Sequence, residues 1–285
     1  MKLPPLDYAC PATLAEAVAL LASRDDAKPI AGGQSLMPML AFRIASPSLL
    51  VDLRKLPDLD RITIADDGVR LGAMVRWRDI EDDVRLRAAH PLLAAAITHV
   101  AHYQIRNRGT VGGSLAHADP AAEMPGIALT CDAEIAVAGA AGPRTIPARD
   151  FFLGPLTTAL ASDEIIVEVR LPAWPARRRW GFQEFARRRG DFALGGVALF
   201  YDEDADGKAT NAHAGAIGVG DRPVRLSAAE AALNGRTVNE AAIADAARAA
   251  SAEVDPHDDI HAPAAYRRAL VGTLTERALK AAVAI

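Results

Sequence analysis

Two Gly-Gly pairs constrain this chain more than any other feature: Ala31-Gly32-Gly33-Gln34-Ser35-Leu36 and Thr110-Val111-Gly112-Gly113-Ser114, roughly eighty residues apart. Consecutive glycines leave backbone N–H groups unshielded, so the chain can curl into a concavity that holds an anion. The first pair ends a short apolar strand, Lys28-Pro29-Ile30-Ala31, and adds an amide and a hydroxyl as further donors. The second adds two hydroxyls. Neither matches the GxxxxGK[ST] loop or the GxGxxG fingerprint. Singly, each pair could be only a tight turn. Together they suit a cofactor with a pyrophosphate and an extended body held between two subdomains, and composition does not name that cofactor.

The bulk properties narrow the setting. A chain of 285 residues that is 51% hydrophobic and 24% charged is expected to fold, with room for two domains. The net charge of -4, with its one dense basic cluster (Arg177 to Arg179, Arg187 to Arg189) offset by acids, argues against nucleic acid as a partner. No apolar run is long enough for a membrane span and the amino terminus lacks a secretory apolar core, so a cytoplasmic protein is expected. Cys10 and Cys131 form no CxxC, so this chain cannot supply four thiolates to an iron–sulfur cluster.

Periodicity predicts a helix over 13–23 capped by Thr13, then strands at 28–31 and 49–53 and a hairpin of 62–64 with 69–71 about Asp66-Asp67-Gly68. The stretch 77–100 reads as helical, with Pro91 opening a second helix, and runs into a glycine-rich loop at 108–114. Strands are predicted at 134–138, 144–147 and 164–171, and Leu171-Pro172-Ala173-Trp174-Pro175 reads as a linker. Beyond it come three antiparallel strands (180–186, 193–201, 211–219) and helices at 227–233, 239–252 and 264–282. The fold class is α+β, with a domain boundary near residue 175.

Four strings in order, KPIAGGQSLMPML, NRGTVGGSLAHADPAAEMP, RRRGDFALGGVAL and DIHAPAAYRRALV, resemble the landmarks of one family over essentially the whole chain. It is that of the FAD-binding medium subunits of molybdenum hydroxylases, such as those of carbon monoxide dehydrogenase and nicotine dehydrogenase, and of the middle domain of xanthine dehydrogenase. The resemblance implies a PCMH-type FAD-binding domain of two α/β subdomains over 1–175 and a C-terminal domain over 176–285 that closes on the flavin. It implies that Ile30, Ala31, Gly32, Gly33, Gln34, Ser35, Leu36 and Met37 wrap the pyrophosphate and ribityl region. Ile105, Gly109, Thr110, Gly113, Ser114, His117, Ala122 and Glu123 would continue the surface, with Glu123 on the adenosine side. Ile165 and Ile166 would add backbone and apolar contacts, and Asp191 and Phe192 would lie near the isoalloxazine ring. Gln34 stands where the family frequently has histidine; it donates a hydrogen bond but cannot titrate. The expected partners are a large molybdenum-cofactor subunit and a small iron–sulfur subunit, in a heterotrimer or its dimer.

Other readings compete at single residues. His117 suits a hydrogen bond to flavin or loop better than a metal, because no second His or Cys stands at ligand spacing. His99 and His102 read as surface or packing residues, and Asp119 as the cap of a helix starting at Pro120. Glu123 is either a ribose contact or a first-turn helix charge. The arginines of 177–189 read as a solvated face or a subunit contact, while Asp259, His261 and 266–268 suit a helix start as well as a function. A stand-alone flavoprotein oxidase or reductase, or a flavin-free assembly scaffold, are the alternative functions.

Overall fold

The structure is a computed structural model that describes residues 2–284. Its first layer is a parallel sheet in the order Asp7–Ala9, Leu49–Asp52, Lys28–Ile30. Parallel neighbours need crossovers. The helix Leu14–Ala22 makes the first, capped by Thr13, whose hydroxyl accepts from Glu16 N at 3.2 Å. The central strand is buried at every residue, as a sheet covered on both faces requires.

The second layer is a five-stranded antiparallel sheet in the order Ile62–Ala65, Gly68–Gly72, Ile165–Pro172, Glu134–Gly139, Gly142–Pro147. Its central strand joins the two subdomains through its alternation. Ile165 enters the core of the parallel sheet, while Ile166, Val169 and Leu171 enter the larger core of the antiparallel one.

The C-terminal domain is an antiparallel sheet, Arg179–Phe185, Gly195–Glu203, Ala209–Ile217, Val224–Arg225, backed by helices Ser227–Leu233, Glu240–Glu253 and Ala264–Val283. The three expected strands are present, and the two-residue Val224–Arg225 joins their edge. Strand Gly195–Glu203 is apolar on both faces: Val197, Leu199 and Tyr201 meet the domain's own helices, and Ala198 and Phe200 enter the core of the N-terminal part.

Three local expectations are corrected. The stretch 77–100 holds three helices, Trp77–Asp82, Val84–Ala89 and Pro91–Ile97, because Asp83 turns extended and its carboxylate caps the second by accepting from Arg85 N. The second glycine pair lies within the first turn of a helix, Val111–His117, and not in an open loop. Asp119 accepts from Ala121 N and holds a turn, since the following helix starts only at Glu123.

The C-terminal sheet meets its longest helix at bare backbone. A Cβ on Gly181 would overlap the Ala278 carbonyl. Gly181→Ala should therefore destabilise the chain by about 2 kcal/mol or more, seen as a lower urea midpoint.

Candidate cofactor site

A cavity of about 600 Å³ opens where the parallel sheet, the helical layer over the antiparallel sheet and the C-terminal domain meet. Its floor is the turn that follows strand Lys28–Ile30. Gly33 adopts φ 73°, a conformation that glycine takes without strain, and reverses the chain there. The amides of Gly32, Gly33, Gln34 and Ser35 donate to no backbone carbonyl among the described residues. Four such donors in succession at a cavity wall need an acceptor. The turn is held from within by Gln34, whose side-chain Nε2 donates to Gly32 O at 2.9 Å. The Ser35 hydroxyl makes no capping bond to the helix it precedes, and Lys28 brings a cation to the same wall.

The second glycine segment contributes differently from expectation. Val111 N donates to Val75 O and Gly112 N to Ala73 O, each at 2.9 Å, and Gly113 N donates to the Thr110 hydroxyl at 3.1 Å. Its amides are thus largely satisfied within the protein. Its glycines serve close packing: a Cβ on Gly112 would come within 2.6 Å of the Ala73 Cβ, and one on Gly109 within 2.8 Å of the Trp77 indole nitrogen. The two segments touch through backbone alone, since a Cβ on Gly32 would overlap the Arg108 carbonyl.

Of the residues singled out in the sequence, Ala31, Gly32, Gly33, Gln34, Ser35 and Leu36 line the cavity with Ile105, Gly109, Thr110, Gly113, Ser114 and His117. Ala122, Glu123, Ile165, Ile166, Asp191 and Phe192 line it as well. Ile30 and Met37 do not; their side chains pack under the turn, on the side where a Cβ of Gly33 would point. Lining residues that sequence reading passed over include Lys28, Trp77, Leu160 and Ser162. The lysine that opens the strand leading into the glycine turn was a legible signal for an anion, whereas nothing local marks the segment 156–162.

The C-terminal domain supplies one wall through the turn 187–192. Gly190 has φ 87° and sits so close to the His102 ring that a side chain would collide with it, and Phe192 is 69% exposed beside the cavity. The linker is pinned as well. Trp174 lies 4.5 Å from the His90 ring and 5.3 Å from Phe200, and the Arg178 guanidinium sits over both Trp174 and Phe200 while binding Asp202 through two bonds of 2.9 Å. Arg178 is therefore buried and structural, not part of a solvated face. Asp259 accepts from His261 N, Ala262 N and buried Arg267, which itself donates to Leu194 O and Gly218 O; this ties the start of the last helix to the sheet.

Burial shifts two titratable lining groups toward neutrality. His117 is pushed down by burial, against the opposing pull of Asp119. Glu123 is pushed up to about 7, first by burial and further by the Asp119 carboxylate.

Free amides beside a lysine, on the floor of an otherwise largely apolar cavity, define a site for a cofactor that carries a pyrophosphate. Comparison with known proteins identifies it. Residues 4–174 match the family described as FAD binding domain in molybdopterin dehydrogenase, and residues 180–282 match the CO dehydrogenase flavoprotein C-terminal domain. The chain is 42% identical to the nicotine 6-hydroxylase medium subunit of Paenarthrobacter nicotinovorans, over 98% of each protein. Its fold superposes on carbon monoxide dehydrogenase from Hydrogenophaga pseudoflava with a TM-score of 0.96 at 38% identity, covering 100% of this chain and 99% of that one. Quinoline 2-oxidoreductase from Pseudomonas putida 86 gives 0.94 at 40% identity with the same coverage. The chain belongs to the FAD-binding medium subunits of the molybdenum hydroxylases, the xanthine dehydrogenase family of oxidoreductases. Its cofactor is FAD, and the free amides of the first turn fit the group's pyrophosphate.

Because Gly32 and Arg108 meet with no space between them, Gly32→Ala should separate the two segments and lose flavin. The purified variant is expected to be colourless and folded, with wild-type circular dichroism and no flavin absorbance band.

Proposed function

We propose that this chain is the electron-transfer subunit of a molybdenum hydroxylase complex, taking electrons from iron–sulfur clusters of a small partner subunit and passing them to an external acceptor. Substrate would be hydroxylated at the molybdenum cofactor of a large subunit, the three forming a heterotrimer or its dimer in the cytoplasm. The observation that carries this reading is the match to a nicotine 6-hydroxylase medium subunit over nearly the entire length of both chains.

On this reading residues 1–175 form the PCMH-type domain and 176–285 the closing domain. Bound FAD supplies a carrier that accepts electrons singly and releases them singly or in pairs. The chain's own residues position it. The amides of Gly32 to Ser35, with Lys28, hold the pyrophosphate, and Ile30 and Met37 keep the turn rigid from beneath. Thr110, Ser114 and His117 offer polar contacts along the extended body, with Ile105, Gly109, Gly113, Ala122, Ile165 and Ile166 forming the close-fitting wall. Glu123 serves the adenosine side, and Asp191 and Phe192 serve the ring. An adjoining cleft of about 920 Å³ shares Ile105, Asp191 and Phe192 with the cavity and gives an acceptor room to approach.

The test is isolation of the native complex with analysis of subunits and metals. Molybdenum, iron and a single FAD should travel with three kinds of chain, and the separated yellow chain should not turn over substrate unaided. A yellow chain that oxidises substrate alone would establish a stand-alone flavoenzyme, and a colourless one a scaffold.

A further inference from the structure

One face of strand Arg179–Phe185 is turned toward the flavin-binding part of the molecule. Gly181 is pressed on the backbone of the helix Ala264–Val283, so by alternation Trp180, Phe182 and Glu184 face the other way. Trp180 and Phe182 suit that place, packing against the core of the antiparallel sheet, with Phe182 edge-on to His99 at 5.0 Å. Glu184 does not. Its side chain is 4% exposed, its Oε2 has no hydrogen-bond partner, and its Oε1 lies 3.9 Å from His99 Nδ1.

A second carboxyl, Glu123, acts on it electrostatically from across the seam and lines the cofactor cavity. The seam is tight. Gly126, one turn along from Glu123, leaves no room for a Cβ against Ile217, and Ile217 in turn rests on Gly196, the strand partner of Glu184. Two unpaired carboxylates cannot both remain ionised in such a place. The other titratable groups facing them do not supply the missing charge. His99 is pushed down by burial and by Arg189, His117 is pushed down by burial, and Asp119 adds negative charge beside Glu123.

We propose that Glu184 is a positioning residue of the cofactor site: held in the domain seam as a neutral carboxylic acid, it keeps the C-terminal domain closed against the cavity wall that Glu123 lines. This rests on reading the cavity as the FAD site. Burial and the neighbouring Glu123 push Glu184 up to about 9. A carboxyl whose folded value is raised contributes stability that is complete below the ordinary carboxylate range and is lost as pH rises through the raised value. The seam is therefore closed at neutral pH and loosens in alkali, where the second proton leaves and the two carboxylates repel.

The full-length chain tests this in three ways. The difference between infrared spectra of wild type and Glu184→Gln at neutral pH should show the C=O stretch of a buried carboxylic acid, which disappears in alkali. Flavin fluorescence should report FAD binding that weakens by about tenfold or more between about pH 7 and pH 10 in wild type, while Glu184→Gln, permanently neutral, changes little. The thermal midpoint of the flavin-free chain should fall over the same range in wild type and stay nearly level in the variant. A wild-type spectrum with no carboxylic acid band at neutral pH overturns the proposal without need of any variant, and so does a Gln variant that loses FAD in alkali as wild type does. A chain that binds no FAD at any pH defeats the FAD reading instead, leaving the infrared and thermal titrations to judge the carboxyl pair.

Discussion

The cofactor cavity depends on one contact between two pieces of bare backbone: Gly32 lies against the Arg108 carbonyl with no space for a side chain. It is where the parallel sheet and the helical layer become one body, and the cofactor cavity lies beside it. Two further close approaches follow along the same segment, Gly109 on the Trp77 indole and Gly112 on Ala73. Their order explains why two glycine pairs that look alike in sequence do different work. The first keeps its amides free at the cavity wall, whereas the second segment spends its own on Ala73, Val75 and Thr110 and packs behind the first.

The third wall of the cavity belongs to another sheet, so its position depends on how the two parts of the chain are joined. That join is not a loose tether. Trp174 and Arg178 lie in a stack with His90 on one side and Phe200 and His213 on the other, the last two rings 4.5 Å apart and nearly parallel. Burying a guanidinium is costly, and here the two bonds to Asp202 and two aromatic faces offset the lost hydration. His90 is neutral in this setting, pushed down to about 3 mainly by burial, and its Nδ1 accepts from Leu93 N to cap the next helix. Trp174 and Arg178 thus anchor an otherwise exposed linker, and the turn 187–192 of the domain beyond it reaches the cavity's edge.

Much of this was legible. Thr13 before an alanine–leucine period, Pro91 at a helix start and the Asp66-Asp67 turn are local signals whose physics is local, and the structure has a helix or hairpin at each. The break at Asp83 was not, because an aspartate within a helical period is tolerated until its carboxylate finds free amides to cap. Gly112 was misread for a tertiary reason: only the carbonyl of Ala73, distant in sequence, decides that its amide is already taken, while Gly113 N is claimed by the nearby Thr110 hydroxyl. The same holds for Arg178, whose partners Asp202 and Phe200 sit on a strand that periodicity reveals but cannot place beside the linker. Segment 156–162 carries no motif, and it joins the cavity only because the small hairpin of Phe152–Gly154 and Thr157–Thr158 carries it there.

Gln34 brings these threads together. Its side-chain amide is committed to the Gly32 carbonyl, so the residue stabilises the turn from within and leaves the four amides outward. A histidine at this position could change charge near neutral pH and, when protonated, would add a cation beside the phosphates. With glutamine that possibility is gone, and the positive side of the site rests on Lys28 and on backbone dipoles. Burial meanwhile moves Glu123 and His117 toward their neutral forms. An ionised Glu123 would oppose an anionic cofactor in the same cavity, so desolvation that suppresses its charge favours binding as surely as an added lysine would. Electrostatic fit at this site thus rests on walls relieved of charge by burial as well as on Lys28 and the free amides.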